Sequence, residues 1–186
     1  MKLNRANVET KLREYLESVD SVELVAPHKD VLTFMHYVKR QPLGSGPYPE
    51  VSFFEASNRV FSDIIILFGV RRLLANPLVG DVRLPFDEYE VALGVQAGHD
   101  LKATAGSCRL VGEAFNVAQS YFQEKKRRTI KKLRREQEAD YRLIIFNADA
   151  VKKPTYYVEI SQPSMLYLPI DMWAERCRAL RIQDFS

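Results

Sequence analysis

His99-Asp100-Leu101-Lys102-Ala103-Thr104-Ala105-Gly106-Ser107-Cys108-Arg109-Leu110-Val111-Gly112-Glu113-Ala114-Phe115-Asn116 is the stretch on which the reading of this chain turns. Gly106-Ser107 at its centre matches a two-residue hairpin loop with glycine first, as a type II′ turn prefers. That turn sets Ala105 opposite Cys108, Thr104 opposite Arg109 and Lys102 opposite Val111. Asp100 then lands opposite Glu113. Side chains alternate along a strand, so Asp100, Lys102, Thr104, Arg109, Glu113 and Phe115 share one side of the sheet. Two carboxylates facing each other at Cβ separations of about 4.5–5.5 Å repel. A divalent cation, a neighbouring lysine or arginine, or a shared proton must offset that repulsion. Mg²⁺ suits the first case, because it is held by one or two carboxylates, waters and a substrate phosphate. A salt bridge to Lys102 or Arg109, or a solvated edge pair, is the plainer alternative.

Outward from the hairpin, residues 52–75 carry Phe53, Val60, Phe61, Ile64, Ile65, Leu67, Phe68, Leu73 and Leu74, the wide apolar face of a central helix that Asn76-Pro77 ends. Tyr89–Val95 reads as a strand, 118–137 as a helix, and 141–146 and 155–160 as two further strands. Met172–Leu180 reads as a closing helix. Ahead of all this, 5–18 and the stretch around Val31, Leu32, Phe34, Met35 and Val38 read as two helices, separated from the rest by the Pro- and Gly-rich loop 41–49. The expected architecture is an α/β domain with a mixed central sheet flanked by helices, spanning 51–186, with an N-terminal helical extension at 1–50.

Composition narrows the function classes. With 46% hydrophobic and 27% charged residues in 186, the chain can bury a sizeable core and is neither disordered nor fibrous. The longest apolar run, Ile64 to Val70, is far shorter than the roughly 20 residues that span a bilayer. No apolar core follows the first charged residues, so a cleaved secretion signal is not expected. Cys108 and Cys177 are too few for a disulfide framework, and a reducing, cytoplasmic setting is the expectation. The net charge of +3 is uneven: residues 124–136 alone carry +6, leaving −3 for the remainder. The cations are Lys125, Lys126, Arg127, Arg128, Lys131, Lys132, Arg134 and Arg135, on the expected helix after the hairpin, with Phe122, Ile130 and Leu133 left to face the core. Such a run is a solvated helix end or a phosphate-binding surface, and its place beside the two acids favours the second.

A hairpin bearing Asp and then Glu, followed at once by a helix and a strand, resembles the core of the PD-(D/E)XK (restriction-endonuclease-like) nuclease superfamily over about residues 52–148. The resemblance implies a Mg²⁺- or Mn²⁺-dependent endonuclease acting on DNA. Asp100 and Glu113 would be the metal ligands, with Glu55 at the start of the preceding helix as an accessory acid. It also implies a lysine two residues after the second acid, where this chain has Phe115. Lys102 is the first substitute, being on the same face and diagonal to Glu113, and Lys125 or Lys126 the second. Gln119 is similar to a polar residue that some members carry on this helix. An inactive nucleic-acid-binding protein on the same fold, or an interaction module whose basic helix docks an acidic partner, are the alternatives, and a homodimer is open to any of them.

Other candidates are weaker. His28, His36 and His99 lack metal-ligand spacing, and His99 is expected to point away from Asp100 because strand neighbours face opposite sides. The segment Asp87–Glu90 reads as solvated. Cys108, Ser62 and Ser107 lack the partners of a nucleophile. Tyr156, Tyr157, Tyr167 and Trp173 read as packing residues.

Overall fold

A computed structural model describes residues 1–23, 30–94 and 97–181. His28 and Val95 lie outside the described residues. Six strands form one mixed sheet in the order β1 (Lys2–Asn4), β4 (Glu88–Val91), β5 (Leu101–Ala105), β6 (Cys108–Phe115), β7 (Tyr141–Asn147), β8 (Leu166–Ile170). The first four run antiparallel to one another in turn, and β7 and β8 run parallel to β6. Between β6 and β7 the chain crosses through α4 (Phe122–Leu133), as a parallel connection requires. A separate two-strand hairpin, β2 (Leu78–Val79) and β3 (Val82–Arg83), turns on Gly80.

The central helix α3 (Phe53–Ala75) starts at Ser52, whose hydroxyl accepts from the N–H of Glu55. Every residue from Asp63 to Val70 is buried, so the middle two turns of this helix are covered all round rather than amphipathic. With α1 (Val8–Asp20), it packs its apolar side chains against Leu101, Leu110, Leu143 and Ile145 on one face of the sheet. The other face carries a second core, in which Phe122 and Leu133 of α4 and Tyr157 of α5 (Pro154–Glu159) meet Phe115, Ile144 and Phe146. The two remaining helices are α2 (Val31–Arg40), which packs on α3, and α6 (Met172–Arg181). Among the described residues no helix is long and apolar enough to cross a membrane.

The hairpin forms in the expected register, from Leu101 opposite Gly112 to Ala105 opposite Cys108. Gly106 has φ +59° and no non-glycine residue has positive φ among those described, so only the first turn residue is left-handed, as in type II′. Several expectations are corrected. Residues 155–160 are not a strand: Pro154 opens the helix α5, its fixed φ suits a first turn, and only Tyr157 of that segment is buried. The strand beside β7 is instead β8, in which all five residues are buried. Pro169 inside it is tolerated because β8 lies at the sheet's edge. The strand expected over 89–95 stops at Val91, and Gly94 at φ +75° turns the chain away. The helix expected over 118–137 is a 3₁₀ turn, Gln119–Tyr121, followed by the shorter α4. The first 20 residues do more than extend the fold: β1 is an edge strand of the main sheet, and Leu3, Val8 and Leu12 are buried in the main core.

Candidate active site

Asp100 and Glu113 sit one residue beyond the last hairpin pair, where β5 begins and β6 continues toward α4 paired only with β7. Asp100 Oδ2 accepts the N–H of Ala114 at 2.8 Å, which ties this carboxylate to the strand that carries Glu113. Burial pushes the Asp100 carboxyl above the usual carboxylate range, and the charge of Glu113 adds to it. The Ala114 N–H and the ammonium groups of Lys132 and Lys125 act in the opposite direction.

Glu113 Oε1 receives two groups, Lys132 Nζ at 2.6 Å and His99 Nδ1 at 2.6 Å. Lys132 Nζ also donates to the carbonyl of Gly98 at 2.6 Å, and His99 Nε2 lies 3.2 Å from Glu136 Oε1. The inner members of this cluster are shielded, with the side chains of His99 and Glu113 at 7% and 12% exposure, while Lys132 at 44% reaches solvent. Repulsion between the acids is therefore offset in part by a lysine from α4. Arg109 is not that cation, because its guanidinium pairs with Glu138.

α4 turns Lys125 and Lys132, two helical turns apart, toward the two acids, and Glu136, three residues past its end, reaches His99. Its first turn places Lys125 Nζ 5.8 Å from the centroid of Phe115, the residue standing where the resemblance implies a lysine. The Phe115 ring itself is buried against Phe122 and Phe146. Lys126 Nζ turns toward the core aromatics, 5.0 Å from the Tyr157 centroid. Arg128 pairs with Glu124. Lys125, Lys126, Arg127, Lys131, Arg134 and Arg135 have no acidic partner at ion-pair distance among the described residues. Arg142 of β7 donates to the carbonyls of Leu133 and Glu136, closing the C-terminal end of the helix.

Glu55 and Gln119 lie elsewhere, and Lys102 stands at the margin of this cluster, its Nζ 4.0 Å from where a Cβ on Gly98 would be. Lys102 is exposed on β5, with Glu90 and Val111 as its strand partners. Glu55 is exposed on the first turn of α3, paired with Arg59, on a helix that covers the sheet's other face. Gln119 is exposed in the 3₁₀ turn. Sequence reasoning missed His99 as a neighbour of Glu113, because strand alternation was applied to a residue that precedes β5, which starts at Leu101. The seven-residue step from Lys125 to Lys132 is the available signal for this helix edge.

A metal could take Asp100 Oδ1 and Glu113 Oε2, which have no protein partner among the described residues. No group of three or more His, Cys, Asp or Glu side chains there is arranged to hold one. The donor set fits a two-carboxylate Mg²⁺ site completed by water and phosphate, not a closed protein cage. No protein-family model matches the chain, and no curated protein or solved structure is significantly similar to it.

Proposed function

We propose that the chain is a metal-dependent nuclease that hydrolyses DNA phosphodiester bonds, with Asp100 and Glu113 as ligands of Mg²⁺ or Mn²⁺. The observation that carries this reading is the convergence of the paired acids with Lys125 and Lys132 on a helix whose other cations, Arg128 apart, have no acidic partner among the described residues. The chain order α3, β4, β5, β6, α4, β7 supports a restriction-endonuclease-like core, since it is a helix, three antiparallel strands, a crossover helix and a parallel strand. Bound to the acids, the metal lowers the pKa of a water and stabilises charge on the phosphoryl oxygens. The chain's own residues supply the rest. The outer cations of α4 hold the DNA backbone, and Lys125, over Phe115, stands where the missing lysine would neutralise the scissile phosphate. Water oxygen then bonds to phosphorus, the bond to the leaving oxygen breaks, and that oxygen takes a proton.

One observation favours a second reading, a non-enzymatic DNA-binding protein: Lys132 and His99 already occupy Glu113 Oε1 and balance it without a metal. Calorimetric titration of Mn²⁺ separates the two. The nuclease reading expects saturable binding that is lost in the Asp100→Ala, Glu113→Ala double variant, and cleavage of plasmid DNA that needs the same residues. An absence of metal binding even with DNA present would leave only the binding protein.

A further inference from the structure

Tyr156 is 53% exposed and Tyr121 41%, and both stand beside the basic helix. Tyr121 caps the N-terminus of α4, and Tyr156 lies on α5. The Tyr156 ring is 5.5 Å from Tyr157, whose ring is 5.4 Å from Phe122, the residue after Tyr121. The exposed Tyr156 ring therefore lies on a shelf over the aromatic core that Lys126 shares. Cations border it on both sides. Lys126 Nζ is 5.0 Å from the Tyr157 centroid, Lys125 follows toward Asp100, and Lys152 and Lys153 are exposed just ahead of α5. None of these four lysines has an acidic partner at ion-pair distance among the described residues. The acids nearby are Glu124, held by Arg128, Glu159 at the end of α5, and Asp149, exposed three residues ahead of Lys152.

From this arrangement we infer that the shelf binds single-stranded DNA, with a base stacked on Tyr156 and phosphates on Lys125, Lys126, Lys152 and Lys153. A duplex hides its base faces within the stack and offers the shelf only phosphates. A single strand presents a π-face at every nucleotide, which is what exposed rings among unpaired cations match. The inference rests on the nuclease reading and names its substrate class: Lys125 joins the shelf to the acids, so a strand stacked on Tyr156 leads its backbone to Asp100 and Glu113.

The test is fluorescence anisotropy in chelator, with a labelled dT oligomer of about 12 nucleotides and a duplex of equal length. The single strand binds more tightly than the duplex. Tyr156→Ala weakens it by roughly 5- to 30-fold, and Tyr156→Trp, which keeps a stacking face, restores it. The salt dependence stays as in the wild type for Tyr156→Ala and flattens for the Lys125→Ala, Lys126→Ala pair. Equal affinity for duplex, an unaffected Tyr156→Ala, tighter binding of an rU oligomer, or no binding of dT would each overturn the assignment. Because chelator removes the metal, failure here with Mn²⁺ binding intact rejects the single-strand shelf and spares the nuclease. Loss of Mn²⁺ binding with the shelf intact does the reverse.

Discussion

At Asp100 a carboxylate is held partly buried, beside a second acid, with one backbone N–H and two nearby lysines to compensate. Its proton affinity is raised in the folded state, so the ionised form costs stability that an unfolded chain does not pay. The sign follows from linkage. Below the unfolded value near pH 4 both states are protonated and the cost vanishes; it grows as pH rises through the folded value and is complete above it. Asparagine keeps an oxygen for the Ala114 N–H and carries no charge. Asp100→Asn is therefore expected to melt above the wild type at neutral pH in chelator, with the gap closing as pH falls toward about 4. Thermal melts across that range check it, and a variant that melts lower at neutral pH would contradict the strained carboxylate.

Within α3 the opposite arrangement holds. Asp63 is 1% exposed, yet it accepts from Tyr15 at 2.7 Å, from Tyr48, and from the N–H of Gly94 at 2.9 Å. Burial and donation to Asp63 push both phenols up, so they remain protonated donors. The carboxylate pins α1, the loop before α3 and the turn after β4 to one point on the central helix. Asp63→Ala strands three donors, and a loss of about 3 kcal/mol is expected in urea denaturation, with Tyr48→Phe costing about 1.5. Nothing in the sequence near Asp63 announces this, because its partners come from residues 15, 48 and 94. The elements that were legible are those whose signal is local. The hairpin register followed from Gly106-Ser107, and α3 from its apolar run and its stop at Asn76-Pro77. Strand β8 was not legible, because Leu166–Ile170 contains a proline and is recognised as a strand only through β7 beside it. The site divides in the same way. Turn geometry fixes Asp100 against Glu113, while the meeting of Lys132 with Glu113 depends on how α4 folds back over the sheet.

Across the whole molecule β7 is the plane on which two cores meet, with Leu143 and Ile145 facing α3 and Ile144 and Phe146 facing α4 and α5. The separation of α3 from this strand is set at Gly69. A Cβ there would lie 2.7 Å from Ile145 Cδ1 and 2.9 Å from Cγ2, closer than packed carbons allow. Alanine raises helix propensity by about 1 kcal/mol, but overpacking costs about 1–3, so Gly69→Ala is expected to lower stability despite its better propensity. Ile145→Val removes Cδ1 and alone costs about 0.5–1.5 kcal/mol through the space it leaves. In the double variant the new methyl occupies part of that space. The two losses should then sum to more than the double variant loses, with a coupling of about 0.5 kcal/mol or more in a urea-denaturation cycle. Rescue stays partial because valine keeps the Cγ2 contact. Simple additivity would mean that α3 moves off the sheet to admit the methyl; the close packing of the buried stretch 63–70 around Gly69 opposes that.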